Sequence, residues 1–112
     1  MDSILTSIKK LLGIEEEYGH FDNDIIMHVN SVFMTLNQLG IGPEEGFSIT
    51  TDEQTWFDFL GESKNLEAVK SYVFLKVRLI FDPPTNSSLL EAMKQQEKEY
   101  EWRLNVQAEK GA

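Results

Sequence analysis

His20, Asp22, Asp24 and His28 are the residues whose types and spacing come nearest to metal chemistry. On a helix Asp24 and His28 stand one turn apart, so an oxygen and a nitrogen ligand would share a face. No HExxH motif accompanies them, and Asp22 is better placed as a helix cap. An EF-hand needs oxygen ligands at alternating positions, a central Gly and a closing Glu, whereas the residues after Asp24 are apolar. No metal and no cofactor is therefore expected. Carboxylates are plentiful, but none stands in an apolar setting that would separate two pKa values for acid–base work. Neither histidine lies near a nucleophile motif, and the glycines are scattered singly, without GxGxxG or a Walker loop. The absence of cysteine removes disulfides, thiolate metal sites and thiol nucleophiles together. The chain reads as a non-enzyme.

What remains is recognition chemistry. Trp56, Phe57 and Phe59 crowd one short segment, and a short helix rarely buries three rings, so Trp56 and Phe59 are candidates for an interface as well as for the core. Tyr100, Trp102, Arg103 and Leu104 form the richer candidate, because Tyr, Trp and Arg dominate binding hot spots.

The elements that must position these residues are helical. Ser3 caps a first helix with Ile4, Leu5, Ile8, Leu11 and Leu12 at 3.6-residue spacing; Lys9 and Lys10 suit the dipole of its last turn, and Gly13 ends it. Glu15, Glu16 and Glu17 form a solvated turn. Asp22 caps a second helix with Ile25, Ile26, Val29, Val32, Phe33, Leu36 and Leu39 on one stripe, stopped by Gly40, Gly42 and Pro43. Phe47 to Thr50 alternates like a strand without an evident partner and is assigned as an extended connection. Thr51 and Gln54 resemble a capping box opening a short helix through Leu60, ended by Gly61. Asn65 or Ser63 caps a helix from Leu66 to about Phe81. Eight of the ten residues from Tyr72 to Phe81 are apolar, which marks a buried central helix stopped by Asp82, Pro83 and Pro84.

Asn86 or Ser87 caps the last helix, through Leu89, Leu90, Met93, Tyr100 and Leu104. Six polar residues, Lys94 to Glu99, interrupt its stripe. Its first turns are expected to pack at home and its later turns on another molecule. The expected architecture is all-α: one domain over 1–112, a bundle of about five helices with a core over 1–85 and a protruding amphipathic arm over 86–112.

At 112 residues, with 41% hydrophobic side chains, the chain is long enough to bury roughly 65% of its extended surface in one core and too apolar for disorder. No apolar run approaches the ~20 residues of a membrane span, and no secretory signal opens the chain. The net charge of −9 is unevenly spread: Leu11 to Ser63 holds eleven acidic residues and no Lys or Arg. Such a half repels a phosphate backbone and suits either a basic partner or a duplex that must pass without sticking.

The ordered segments SILTSIKKLLGI, FDNDIIMHVNSVFMTLNQLGI and VKSYVFLKVRLIFDPP, followed by a charged amphipathic helix, resemble the head–tail connector (head-completion adaptor) proteins of long-tailed bacteriophages and prophages. The short basic helix ending at Ile14, the spacing of Asp24, Ile25, Val29, Val32 and Leu36, and the run Tyr72 to Pro84 carry the likeness; Gly46 to Gly61 matches no family pattern. The resemblance implies a structural neck subunit that self-associates into a ring matching the portal's symmetry. That ring would extend the DNA channel without specific DNA binding and dock a downstream head-completion or tail protein. Its place would be the virion's head–tail junction, after assembly in the host cytoplasm. The alternative is a small acidic cytoplasmic adaptor or inhibitor acting through protein–protein contacts.

Overall fold

The computed structural model describes residues 3–111, with side chains over 3–109. Five helices follow one another: α1 (Ile4–Leu11), α2 (Asp22–Gln38), α3 (Trp56–Leu60), α4 (Leu66–Phe81) and α5 (Ser87–Gly111). No strand element occurs among the described residues, so the all-α bundle expected from the periodicity is the fold. α4 is the hub: α2 packs on one side of it and α5 on another, while α1 lies on α2. Val69, Val73 and Val77 of α4 are fully buried, as are Ile25, Val29, Val32 and Leu36 of α2. That repeat, three to four residues apart, is what lets two helices close on a dry seam.

Local chemistry sets most ends. The Ser3 hydroxyl accepts the Thr6 amide at 3.1 Å, capping α1 as expected. The carboxamide oxygen of Asn86 accepts the Leu89 amide at 2.9 Å, which decides between the two candidates for the α5 cap. α4 begins at Leu66 with Asn65 at the cap position, where the Asn65 side chain makes no capping bond; the Ser63 hydroxyl instead accepts the Asn65 amide at 3.1 Å.

Two expected caps fall elsewhere. Phe21, not Asp22, occupies the cap of α2, and Asp22 is the first helical residue. Its carboxylate lies 2.8 Å from Lys9 Nζ, because a buried ammonium claims it more strongly than a backbone amide does. The capping box of α3 is Thr55 with Asp58: the Thr55 hydroxyl accepts the Asp58 amide at 3.1 Å and the Asp58 carboxylate accepts the Thr55 amide at 2.9 Å. The Gln54 side chain instead folds back to accept the amides of Thr50 and Thr51, both at 3.1 Å, closing the turn before the helix.

The extended connection proves to be pinned at both ends. The Asn30 carboxamide, on α2, donates to the Ile49 carbonyl at 2.9 Å and accepts the Ile49 amide at 2.7 Å, doing for Ile49 what a neighbouring strand would do. Ile49 is thereby buried with its polar backbone satisfied. Further on, the Gln54 carbonyl accepts the Ile4 amide at 3.0 Å. Asn30→Ala should cost about 1–3 kcal/mol, since it orphans one buried donor and one buried acceptor. Chemical denaturation measures it, and a change below half a kcal/mol would show that water replaces the carboxamide. Gly42, at φ +90°, closes the same region: a Cβ there would sit 2.5 Å from the Phe59 ring.

Candidate interaction surface

The four residues nearest to metal chemistry do not converge. Asp22 is engaged by Lys9, the His20 ring packs against Phe21 with centroids 4.9 Å apart, and the His28 ring faces Phe81 at 6.4 Å. Among the described residues no group of three His, Asp or Glu side chains is arranged to hold a metal.

The six interface candidates separate cleanly by burial. Trp56 and Phe59 are core residues, each 3% exposed, and only Phe57 of the three rings on α3 turns to solvent. The Trp56 indole N–H donates to the Ser7 hydroxyl at 2.8 Å, so its polar edge is also used internally. Phe59 lies 4.5 Å from Phe33 and 5.1 Å from Phe47, ring to ring. Leu104 is 2% exposed and belongs to the main core. These three side chains thus pack in the core of the chain. Tyr100 is half-buried against the core, Arg103 is exposed and pairs with Glu99 one turn back, and Trp102 stands 68% exposed. Trp102 lies two positions along the chain from each of its buried or half-buried neighbours Tyr100 and Leu104, which puts it on the opposite side of the helix.

The expected packing of α5 is reversed. Its opening turns, Ser87 to Ala92, are mostly exposed, with Leu89 at 45%, while its later turns pack on α4 through Tyr100, Leu104 and Ala108. The polar interruption is bridged by charge. Lys76 of α4 lies 2.9 Å from Glu97 and 3.6 Å from Glu101, and the buried Tyr72 hydroxyl donates to Glu101 at 2.7 Å. Burial first, and then the carboxylates of Glu101 and Glu97, push the Tyr72 phenol well above the ordinary tyrosine range. The neutral phenol is the form that binds, so this contact acts undiminished at neutral pH and is lost only in alkali above the ordinary value. One signal was available: a lysine in the middle of α4's apolar run needs a carboxylate, and α5 offers two, one turn apart.

Lys9 stands in the last turn of α1 as expected, with a role beyond the helix dipole. It is buried, 2% exposed, with Nζ donating to the carbonyls of Glu16 at 2.9 Å and Tyr18 at 2.8 Å and paired with Asp22. It thus holds the acidic loop Glu15–Glu17 against α1 while the three glutamates face solvent. Of the eleven acids between Leu11 and Ser63, all but Asp22 are exposed.

One groove lies between the end of α1, α4 and α5. Leu11, Phe74, Leu75 and Tyr100 line this cleft of about 410 Å³ together with the polar residues Glu67, Lys70, Ser71 and Gln96. Arg103 and Glu99 line a smaller recess beside it that shares Tyr100. The surface thus combines an exposed tryptophan, an open groove and ten exposed carboxylates between Leu11 and Ser63. It has the makings of a contact surface.

A family model described as "Phage connector protein" matches residues 4–111 of the chain. Comparison with curated proteins and with solved structures gave no match.

Proposed function

The chain belongs to the phage connector protein family, and from that membership we propose that it is a neck subunit whose copies form a ring beneath the portal, continue the DNA channel and dock the next head-completion or tail protein. The match over residues 4–111 carries the reading, since it includes every helix of the fold. A connector role is structural, which accords with a surface built of a groove, an exposed Trp102 and charge rather than of convergent titratable groups. The subunit would be part of the virion at the head–tail junction, assembled in the host cytoplasm. No described helix is long and apolar enough to cross a membrane.

The acidic stretch from Leu11 to Ser63 supports passage of DNA rather than its capture. Ten exposed carboxylates with no intervening cation offer a duplex no phosphate contacts and release no counterions. The test is direct: purified chain is mixed with the portal of the same phage and imaged, and separately with duplex DNA at moderate salt. A ring on the portal and an unretarded duplex are expected. A monomer that ignores the portal and captures a basic enzyme would instead establish the adaptor or inhibitor reading, and tight, salt-sensitive DNA binding would overturn the passive channel.

A further inference from the structure

Two features of the surface fit each other and cannot meet within one chain. Trp102 is the most exposed large apolar side chain described, and it projects from the side of α5 opposite to the core. The groove lined by Leu11, Phe74, Leu75 and Tyr100 opens beside the inward-turned residues of the same helix, with Leu11 left 56% exposed and the Phe74 and Tyr100 rings half-covered. We propose that Trp102 of one copy seats in this groove of the next copy, a knob-in-groove contact repeated around the assembly. The proposal rests on the ring reading above and supplies its contact.

Size and charge single out a second copy as the occupant. A groove of about 410 Å³ lies within the ~300–1,000 Å³ range of sites that enclose a small molecule, ample for an indole. Lys94 and Lys98, both exposed, precede Trp102 by two turns and one turn on the outward side of α5. The groove lining holds one acid, Glu67, with its side chain 87% exposed, and one cation, Lys70, only 24% exposed. The cations present there are already engaged: Lys70 lies 4.0 Å from Glu67 and 5.9 Å from the Trp56 ring, and Arg103 is paired with Glu99. A tryptophan preceded by exposed lysines therefore meets a groove whose exposed charge is the Glu67 carboxylate, its own cation being the more buried Lys70. Because knob and groove are different patches, the contact is heterologous, which is the type that closes into rings when its rotation permits.

Self-association is measured by sedimentation velocity for the natural chain, for Trp102→Ala, and for Ser71→Arg, which fills the groove from an exposed position. Each variant should keep its melting temperature and associate roughly ten- to a hundredfold more weakly. Mixed together, the two should form a one-to-one dimer and nothing larger, since one intact groove and one intact knob remain. The cysteine-free chain permits a second measurement that reports even a transient contact. Lys98→Cys and Ser71→Cys proteins, oxidised together, should yield the mixed disulfide in clear excess over both homodimers. A statistical mixture of disulfides, or variants that associate as the natural chain does, overturns the seating of Trp102 and leaves the ring reading intact. If the natural chain forms no ring even on the portal, the ring reading itself has failed, and the repeated contact with it.

Discussion

Cutting the chain after Gln95 should unfold it rather than release an arm. The lost segment carries Leu104, 2% exposed in the main core, together with Tyr100 and Ala108, which pack against that core. It also carries Glu97 and Glu101, the partners of Lys76 and of the buried Tyr72 hydroxyl. Emptying the Leu104 site alone is worth about 2–5 kcal/mol on the scale of buried leucine truncations. Stranding the Tyr72 hydroxyl adds about 1–3 kcal/mol. Together with the apolar face of α4 laid open, these losses meet or exceed the ~5–15 kcal/mol that holds a domain of this kind together. Circular dichroism should then show a broad, low-temperature melt or none. Leu104→Ala in the full chain provides the graded version, with an expected loss of about 2–5 kcal/mol on chemical denaturation. A truncated protein melting cooperatively near the temperature of the full chain would show that α5 beyond Gln95 contributes nothing to the core.

The second large effect belongs to Lys9. Lys9→Met keeps most of the alkyl stem and removes the charge, leaving the carbonyls of Glu16 and Tyr18 without their donor and Asp22 without its counter-charge. Breaking a buried ion pair from one side costs about 3–5 kcal/mol. The Asp22 side chain is one-third exposed and recovers some hydration, which places the expected loss toward the lower bound. Asp22→Asn should cost distinctly less, because Lys9 keeps both carbonyl acceptors. Urea unfolding of the two variants checks the order. A Lys9→Met protein as stable as the parent would mean that the loop from Gly13 to Phe21 is held by its packing and not by the ammonium.

The parts of this molecule legible in the sequence are those whose causes lie within a few residues. Ser3 capping α1, Gly13 leaving it with φ +80°, and Asp82 and the two prolines closing α4 are all settled by a side chain or a backbone preference acting within a few positions. The apolar stripes of α1 and α2 are likewise local, since a 3.6-residue repeat marks a face whatever covers it. The likeness to connector proteins rested on the order of such elements, and the match over residues 4–111 agrees with it.

Tertiary structure decided everything that required a partner from far along the chain. A lysine at the end of a helix looks solvated until the carbonyls of Glu16 and Tyr18 and the Asp22 carboxylate converge on it. The strand-like run around Ile49 finds its partner in Asn30, a side chain 19 residues away, so there was no partner strand for the sequence to reveal. Trp56 is taken inward by Ser7, 49 residues away, and α5 by Tyr72, whose hydroxyl reaches Glu101 across 29 residues. The polar stretch Lys94–Glu99 suggested a helix without a home because periodicity records only which residues avoid water. It is silent on charges that water gives up to one another when two helices pack, and that exchange is what brings Leu104 into the core and leaves Trp102 outside.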